Sequence, residues 1–533
     1  MRDLFLIGPD GEKQPLPPET AGAKAAELWR MGELGLSVPP AFVLSTCLCG
    51  PINRGENEAK QIFDRCLGKG ISYLERATGR GFGDARNPLL VSVRSGAARS
   101  MPGMLGTVLN VGLSAQTVHG LIQLTGNPRL AWDSYRRFLQ GFAEVVWGMP
   151  AAPFAARVHA AKRDEAVAHD GELDPEALEH LATSYRAIVA ETEGKEFPDD
   201  PVSQLTAVAR AVYRSWDTEK ACTYRALNRL DGLHGTAVTV QAMVFGNGGG
   251  RSGAGVAFTR NPATGAKELY ADFLFDAQGD DVVSGRRRPS DWNVLAAKLP
   301  EVANALARGA DQLEREFRDV QDIEFTVEDA KLYFLQARVG KRTPRAAVKI
   351  AVDLVREGII DEAEAICRVG DIDPASTVLA RFAGAAKAIA TATPASVGVA
   401  TGRIAFDSTR AAALAARGDP VILVRPETST EDILGLNVAA GVLTAVGGRT
   451  AHAAVVARQL GKVCLVGCSA LDIDVEHRSA TIAKQALAEG DWLSLDGDSG
   501  KIYLGKRDIL HEQPQAEFAA IAAWKAECAA PVA

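Results

Sequence analysis

A glycine pair followed by a short helical pattern, near the C-terminal end, narrows the fold more than any other feature of the chain. The pair, 447–448, leads through Thr450 and His452 into an Ala/Val-rich run that Gly461 can end. Thr450 is suited to cap the predicted helix, which places His452 in its first turn, beside unpaired backbone N–H groups. An anion is favoured there. The segment predicts either a histidine that carries a phosphoryl group or an incidental histidine in a helix-capping segment.

Length, charge and cysteine content set the outer bounds. A chain of 533 residues is too long for one hydrophobic core, so three or four folding units are expected. No window approaches the roughly 18 apolar residues of a membrane span, and the N-terminal segment lacks the long apolar region of a signal peptide. The net charge of -7 argues against general nucleic-acid binding. Eight scattered cysteines favour free thiols in a reducing cytoplasm, so we expect a cytoplasmic protein without nucleic-acid or membrane partners.

The pattern of elements divides the chain into regions. Helices dominate from about 112 to 230, and strands with glycine-rich turns return before residue 340. A short Ala/Thr stretch at 388–393 suits a linker or hinge, and a compact region of strands and helices follows it. The chain closes with an Ala-rich helical pattern at 516–529, which we expect to pack on its own domain rather than to dock a partner.

Two strand-to-loop transitions carry the chemistry of a phosphate site. A buried-looking strand at 89–94 ends in Arg94 and runs into small residues at 95–103, where a cation and a closely approaching backbone suit phosphate. The glycine-rich loop at 246–255 follows an apolar strand at 240–245 and precedes another at 256–260. A surface arginine and a mobile hairpin are the alternative interpretations, and a glycine-rich loop alone is weak evidence.

The segment 321–338 predicts a β-hairpin with a turn at 328–330. Because strand side chains alternate, Asp322 and Glu324 share one face, and Gln336 and Arg338 share a face of the partner strand. Two carboxylates beside an arginine and a glutamine suit a magnesium–nucleotide triphosphate. A solvated face with salt bridges is the alternative.

Taken in order, these segments resemble the pyruvate phosphate dikinase family, in the wider group that includes phosphoenolpyruvate synthase. The resemblance covers about residues 20 to 505. It rests on the hairpin, on the segment around His452 and on these motifs: Leu90-Val91-Ser92-Val93-Arg94-Ser95-Gly96, Ser100-Met101-Pro102-Gly103-Met104, Arg214-Ser215-Trp216-Asp217, Met243-Val244-Phe245-Gly246-Asn247 and Phe258-Thr259-Arg260-Asn261-Pro262.

The resemblance implies an α/β multidomain fold. It implies an ATP-grasp nucleotide-binding region at 1–340 with a largely helical insertion at about 112–230, a helical linker at 341–387, a swivelling β/β/α phosphohistidine domain at 388–507 and a helical tail at 508–533. It implies that His452 accepts the phosphoryl group from ATP, with Arg94 and Arg338 stabilising the transferred charge, and that Asp322 and Glu324 hold Mg²⁺. The implied nucleotide-binding residues are Lys24, Arg94, Gln241, Met243, Val244, Gly248, Gly249, Gly253, Asp280, Glu324, Gln336 and Arg338.

No counterpart of the family's C-terminal barrel, which binds pyruvate or phosphoenolpyruvate, is recognisable after residue 507. The sequence therefore predicts a dikinase-type phosphotransferase subunit that releases AMP, charges His452 and passes the phosphoryl group to a small molecule on a separate subunit. A phenolic or hydroxyaryl acceptor, as in the similar phenylphosphate synthases and hydroxyaryl-ketone kinases, is the preferred prediction. Pyruvate with a separate barrel subunit, and a regulatory phosphocarrier, are the alternatives. Whether phosphate or water takes the second phosphoryl group stays open.

Overall fold

The computed structural model describes residues 2–99, 101, 106–167, 169–194, 196–230, 232–283, 290–428, 432–448, 451–474, 477–512 and 515–529. It divides into two compact units. Unit 1 contains Met1–Gly248 with Val327–Ala337, and unit 2 contains Gly249–Thr326 with Arg338–Ala533. Both units mix helices and strands, which confirms the predicted α/β multidomain class. The finer boundaries at 340, 387 and 507 stay predictions.

Up to residue 248 the chain forms one antiparallel sheet and a block of helices. The sheet order is β1-β2-β5-β3-β4. The elements are β1 (Leu4–Ile7), α1 (Pro18–Ala21), α2 (Ala23–Glu33), β2 (Ala41–Leu44), the 3₁₀ helix η1 (Thr46–Leu48), α3 (Cys49–Asn53), α4 (Asn57–Thr78), β3 (Val91–Gly96), β4 (Thr107–Val111), α5 (Thr117–Thr125), α6 (Pro128–Trp147), α7 (Ala152–Asp164), η2 (Asp170–Glu172), α8 (Pro175–Glu193), α9 (Pro201–Ser215), α10 (Glu219–Leu227) and β5 (Ala237–Ala242).

Local sequence explains why the predicted helical region is helical. Helices α6, α8 and α9 each begin with a polar side chain that accepts a backbone N–H three residues ahead, followed at once by proline. The capping residues are Asn127, Asp174 and Asp200. Such a residue satisfies an unpaired N–H, and proline loses nothing at the first helical position. The apolar faces of these helices join one core with the sheet.

The next stretch holds a second sheet, of order β10-β9-β6-β7-β8, and two linker helices. Its elements are β6 (Gly253–Phe258), β7 (Tyr270–Phe275), α11 (Gly279–Val283), β8 (Ser290–Asp291), α12 (Trp292–Lys298), α13 (Pro300–Phe317), β9 (Gln321–Glu328), β10 (Lys331–Val339), α14 (Pro344–Arg356), α15 (Glu362–Val369), η3 (Pro374–Thr377) and β11 (Leu379–Phe382). The hairpin predicted at 321–338 is confirmed. Its turn residues Asp329 and Ala330 both have positive φ, the conformation of a tight two-residue hairpin turn.

The last stretch is a β/β/α sandwich, as predicted. An eight-stranded sheet of order β12-β22-β21-β14-β15-β16-β17-β13 packs helices on one face and the three-stranded sheet β18-β19-β20 on the other. The elements are β12 (Ala390–Thr391), β13 (Thr393–Ser396), β14 (Val399–Ala405), α16 (Ser408–Ala415), β15 (Val421–Arg425), α17 (Ile433–Val438), β16 (Gly441–Thr444), α18 (His452–Gln459), β17 (Val463–Val466), β18 (Leu471–Asp474), β19 (Ser479–Ile482), β20 (Gln485–Ala488), β21 (Trp492–Asp496), β22 (Lys501–Leu504), β23 (Ile509–Glu512) and α19 (Gln515–Ala529).

The prediction of a linker at 388–393 is wrong. Ala390 pairs with Ile502 in β22, and Thr393 pairs with Val466 in β17, so the stretch supplies edge strands to the large sheet. Its small residues gave no local sign of this pairing. The C-terminal helix packs on the linker helices of its own chain, because Ile521 of α19 lies in one core with α14 and α15. In the part of the chain that the structure describes, every helix is too short or too polar to span a bilayer.

Candidate functional site

In unit 1 the start of α2 meets the end of β3. The N–H of Ala23 donates to the carbonyl of Ala97 at 3.0 Å. Gly22 has φ +82°, and a Cβ there would lie 2.2 Å from the carbonyl oxygen of Gly96, so only glycine allows this approach. The elements that carry the predicted phosphate ligands, α2 with Lys24 and β3 with Arg94, therefore lie next to each other.

The Arg94 side chain has one donor atom that bears on ligand binding. Its Nε is buried and finds no acceptor among the described residues. Buried donors are nearly always satisfied, and a phosphate oxygen is a suitable acceptor for this one. The neighbouring residues 102–105 of the predicted phosphate loop lie outside the described residues.

The strand predicted to hold adenine separates its residues into two roles. Gln241 is buried in β5, and its side-chain amide donates to the carbonyl of Pro39 at 3.2 Å. Met243 and Val244 are half-buried and line a cavity of about 530 Å³ within unit 1, opposite Tyr333. This volume lies in the range of small-molecule sites. The structure thus places Met243 and Val244 at a cavity wall and gives the Gln241 side chain a bond to a backbone carbonyl.

The glycine-rich loop is shorter than predicted. Gly249 has φ +104° and donates its N–H to Asp276 Oδ1 at 3.2 Å, whereas Gly253 already begins β6. A Cβ on Gly253 would lie 2.2 Å from the Phe273 ring, so crowding in the sheet accounts for this glycine. The loop therefore ends at residue 252, before the predicted limit at 255. Gly248 is exposed in this loop.

The hairpin carboxylates lie in unit 2 with Arg338. The Nε of Arg338 donates to Asp322 Oδ2 at 2.9 Å, and Glu324 follows on the same face of β9. Asp322 is buried, and its Oδ1 has no hydrogen-bond partner among the described residues. Burial raises the pKa of Asp322, and Arg338 opposes that effect only in part. In β10, Gln336 is buried, as part of unit 1.

This donor set fits Mg²⁺. A buried carboxylate oxygen without a partner and a second carboxylate two residues along are hard oxygen ligands of the kind that Mg²⁺ prefers. Among the described residues no group of three or more His, Cys, Asp or Glu side chains could hold a metal ion. Asp322 and Glu324 would therefore share the ion with oxygens from a substrate or from water.

Two neighbours of the hairpin, Lys341 and Arg458, were not predicted as site residues. Lys341 follows β10, and burial, together with Arg338, lowers its pKa while Asp322 opposes the shift. Arg458 of α18 is buried and donates to the carbonyl of Ala395 at 2.9 Å. The carboxylates of Asp272 in β7 and of Asp322 act on it electrostatically. The helix that begins at the candidate phosphohistidine thus places a cation near the candidate metal-binding carboxylates. The available sequence signal was a single cation ending an Ala/Val run.

The phosphohistidine segment has the predicted geometry, with one correction. His452 is the first residue of α18, as predicted, but the capping position is Ala451, which makes no side-chain cap. Thr450, the predicted cap, lies outside the described residues. The helix ends at Gln459, and Gly461 follows with φ +64°. Asp280 lies in α11, and its side chain is outside the description.

Comparison with known proteins agrees with this geometry. Residues 59–304 and 296–358 match the pyruvate phosphate dikinase AMP/ATP-binding domain. The chain belongs to the pyruvate phosphate dikinase family. Residues 418–500 match the mobile domain of PEP-utilising enzymes, which confirms the predicted combination of a nucleotide-binding domain with a phosphohistidine domain.

Curated dikinases are similar along most of the chain. It is 44% identical to pyruvate, phosphate dikinase of Clostridium symbiosum, over 94% of this chain and 58% of that protein. It is 46% identical to pyruvate, phosphate dikinase 2 of Oryza sativa subsp. japonica, over 91% of this chain and 55% of the relative. The chain spans a little over half the length of these relatives.

Proposed function

We propose that the chain is the nucleotide-cleaving and phosphoryl-carrying part of an ATP-dependent dikinase. The observation that carries the proposal is Asp322, a buried carboxylate held by Arg338 and left with one unpartnered oxygen, beside Glu324. Such an arrangement is costly without a bound cation. The chain matches a family model described as an AMP/ATP-binding domain, and this match favours a magnesium–nucleotide ligand.

In the proposed reaction an imidazole nitrogen of His452 forms a bond to the β-phosphorus of ATP as the bond from that phosphorus to the bridging α–β oxygen breaks. AMP leaves with that oxygen. Lys24, Arg94 and Arg338 neutralise charge on the transferring group. Mg²⁺, when bound at Asp322 and Glu324, would supply further neutralisation of phosphate charge. The terminal phosphoryl group then passes to phosphate or water and leaves phosphohistidine.

The remaining predicted residues have supporting roles in this proposal. Met243 and Val244 would contact adenine at the cavity of about 530 Å³. Gln336 would donate to nucleotide oxygens, and the loop at 246–252 would contact phosphates through its backbone. Asp280, Gln241 and Gly253 stay in the proposed nucleotide region, with Gln241 and Gly253 acting through the backbone positions they fix.

We propose pyruvate as the final acceptor, because the curated relatives are named pyruvate, phosphate dikinases. These names favour the alternative of the sequence analysis over its preferred phenolic acceptor. In this proposal, a separate acceptor-binding subunit would be the site at which pyruvate binds.

Isotopic labelling of the protein tests the charging step. With Mg²⁺ and ATP labelled separately at the β- and γ-phosphorus, we expect acid-labile β-label on the wild type and one AMP for each charged chain. His452→Ala should retain no label, whereas His477→Ala, an exposed histidine of the same domain, should charge normally. Label on the His452→Ala chain would refute the assignment of the carrier.

The metal and acceptor assignments have their own measurements. Asp322→Asn and Glu324→Gln should lower the charging rate at least about 100-fold, the scale of an oxyanion-stabilising group. The charged wild type is then offered pyruvate or phenol, alone and with the C-terminal part of a curated dikinase. Transfer to phenol alone would favour the phenolic acceptor, and charging without transfer to either would favour a regulatory phosphocarrier.

A further inference from the structure

Two chain segments that flank the β/β/α sandwich lie side by side in unit 2. Strand β11 precedes the sandwich and pairs antiparallel with β23, which follows it, so that Ala380 lies opposite His511. The sandwich itself runs from β12 to β22. This two-stranded ribbon is therefore the covalent connection between the sandwich and the linker helices.

A cavity of about 800 Å³ opens beside the ribbon. Its wall combines α14 of the linker, the ribbon, the turn between β21 and β22 of the sandwich, and α19. This size lies within the range of small-molecule binding sites. A ligand here would contact both the sandwich and the linker helix to which it is joined.

The charge of the wall is opposite to that of the chain. Five cationic side chains and three carboxylates line the cavity, although the whole chain carries -7. The cations are Arg345, Lys349, Arg381, Lys501 and Arg507. Lys349 is paired with Asp353 at 2.6 Å, and the cations outnumber the carboxylates of the wall.

The cations of the wall come from different elements, and neutral groups hold one of them, Arg507, in position. Arg507 donates to the carbonyl of Ala383 at 2.9 Å, and its guanidinium carbon lies 4.5 Å from the ring centroid of Tyr503. Arg345, in α14, and Arg381, in β11, both act electrostatically on Asp498 in the turn of the sandwich. The carbonyl and the ring fix the Arg507 guanidinium without neutralising it, and with five cations against three carboxylates the wall carries net positive charge.

The carboxylates of the wall are partly engaged. Asp498 Oδ1 accepts the N–H of Gly398 at 3.2 Å, and Asp496 accepts the hydroxyl of Ser499 at 2.7 Å. Val397, Val399 and Phe382 add apolar surface. A ligand suited to this wall has a multiply charged oxyanion at one end and a larger, less polar body.

We propose that this cavity binds a phosphorylated small molecule, with its phosphate held by Arg345, Arg381 and Lys501. Arginine forks match phosphate oxygens in pairs, and lysine adds a compact charge. Because Arg345 belongs to the linker and Lys501 to the sandwich, the ligand would restrain the sandwich against the linker. Binding at the cavity is independent of the proposed transfer chemistry, and only this restraint of a carrier domain rests on the proposed function.

Titration calorimetry of the whole chain tests the site, with pyrophosphate and glucose 6-phosphate as probes and glucose as the neutral control. We expect both phosphates to bind, and the double variant Arg345→Ala/Arg381→Ala to lower the affinity for glucose 6-phosphate about tenfold or more. Arg315→Ala, an exposed arginine outside the cavity, should keep the glucose 6-phosphate affinity. Lys501→Met is the second cavity variant; it changes an exposed residue outside the ribbon and so leaves the ribbon intact.

Limited trypsin digestion provides a second readout. Residues 384–387 are exposed and lie between β11 and β12, so cleavage after Lys387 reports access to this segment. Glucose 6-phosphate should slow that cleavage in the wild type and not in the double variant. Equal phosphate affinity in wild type and both cavity variants, or no binding of either phosphate, would overturn the proposal. Citrate binding as tightly as pyrophosphate would overturn the phosphate class.

Loss of charging in the tests of the proposed function, with phosphate binding unchanged here, would leave this site standing. Loss of phosphate binding with normal charging would remove this site alone. The two proposals therefore fail separately.

Discussion

Arg260 and Arg458 are both buried in unit 2, with 0% and 1% of their surface exposed, yet their surroundings differ in kind. Arg260 donates to Glu314 Oε1 through Nε at 2.9 Å and through Nη2 at 2.7 Å, and reaches Glu357 at 2.9 Å. Arg458 donates to a carbonyl, and its guanidinium carbon lies 5.6 Å from the ring centroid of Phe258.

The electrostatic outcome follows from these partners. Burial alone would lower the pKa of either guanidinium. For Arg260 the hydrogen bonds to Glu314 and Glu357 outweigh burial and raise the pKa, whereas for Arg458 burial wins and lowers it. Arg260 is thus a structural cation, whereas the burial of Arg458 disfavours its charge beside the candidate metal-binding face. Charges kept at a cost concentrate at functional sites.

The substitution Arg260→Met should have the largest effect on stability. Removing the guanidinium leaves Glu314 buried without its arginine and leaves Glu357 with Lys267, so we expect the free energy of unfolding of unit 2 to fall by about 3–5 kcal/mol. Urea denaturation followed by tryptophan fluorescence measures the change. Arg260→Lys, which keeps one charge, should recover part of the loss. A change below about 1 kcal/mol would contradict the structural role.

A buried pair in unit 1 extends the comparison to a different core. Asp133 of α6 contacts Arg136 at 2.6 Å and Arg137 at 2.9 Å. Burial alone would raise the pKa of Asp133, but the two arginines hold it well below its usual range. We expect Asp133→Asn to cost about 2–3 kcal/mol at pH 7, the scale of charged hydrogen bonds.

The pH dependence of that variant has a definite sign. Because the folded-state pKa is depressed, the wild type holds this stability above the unfolded value near 3.8 and loses it as the pH falls towards the folded value. The difference between wild type and Asp133→Asn should therefore shrink below about pH 4 in acid titrations of stability. A difference that stays constant down to pH 2 would contradict the assignment.

The same contrast explains what the sequence could and could not predict. The hairpin that carries Asp322 and Glu324 was predictable, because alternation and a short turn are local signals that place both carboxylates on one face. The placement of Arg458 beside Asp272 and Asp322 was not, because it joins segments more than 100 residues apart. Residues 388–393 were mistaken for a linker for the same reason: the strand partners of Ala390 and Thr393 lie far along the chain.

The helical region shows the opposite case. Asn127, Asp174 and Asp200 each precede a proline, a local capping signal that fixes the starts of three helices. Thr450 was suited to the same role, but α18 begins at His452 with Ala451 at the cap. A capping residue predicts a helix start to within a residue or two, and tertiary contacts choose among the positions.

Arg458→Met should cost far less than Arg260→Met. Its contacts include a neutral carbonyl and a ring, and burial lowers its pKa, so the substitution also removes the cost of burying a charge; we expect a loss of about 1–2 kcal/mol. The same urea denaturation measures it, with Arg458→Lys as the variant that keeps the charge. A loss equal to that of Arg260→Met would show that carboxylates fix Arg458 as firmly and would remove the distinction.

An exposed pair separates geometry from burial. Arg186 meets Asp199 with two hydrogen bonds, of 2.7 and 2.9 Å, as good as those of Arg260, but 53% of the Asp199 side chain is exposed. Water and salt screen such a pair, so we expect Asp199→Asn to cost less than about 1 kcal/mol. Denaturation with and without 1 M NaCl checks this, and the cost should fall further at high salt. A cost near that of Arg260→Met would mean that bond geometry, rather than burial, sets the energy of these arginines.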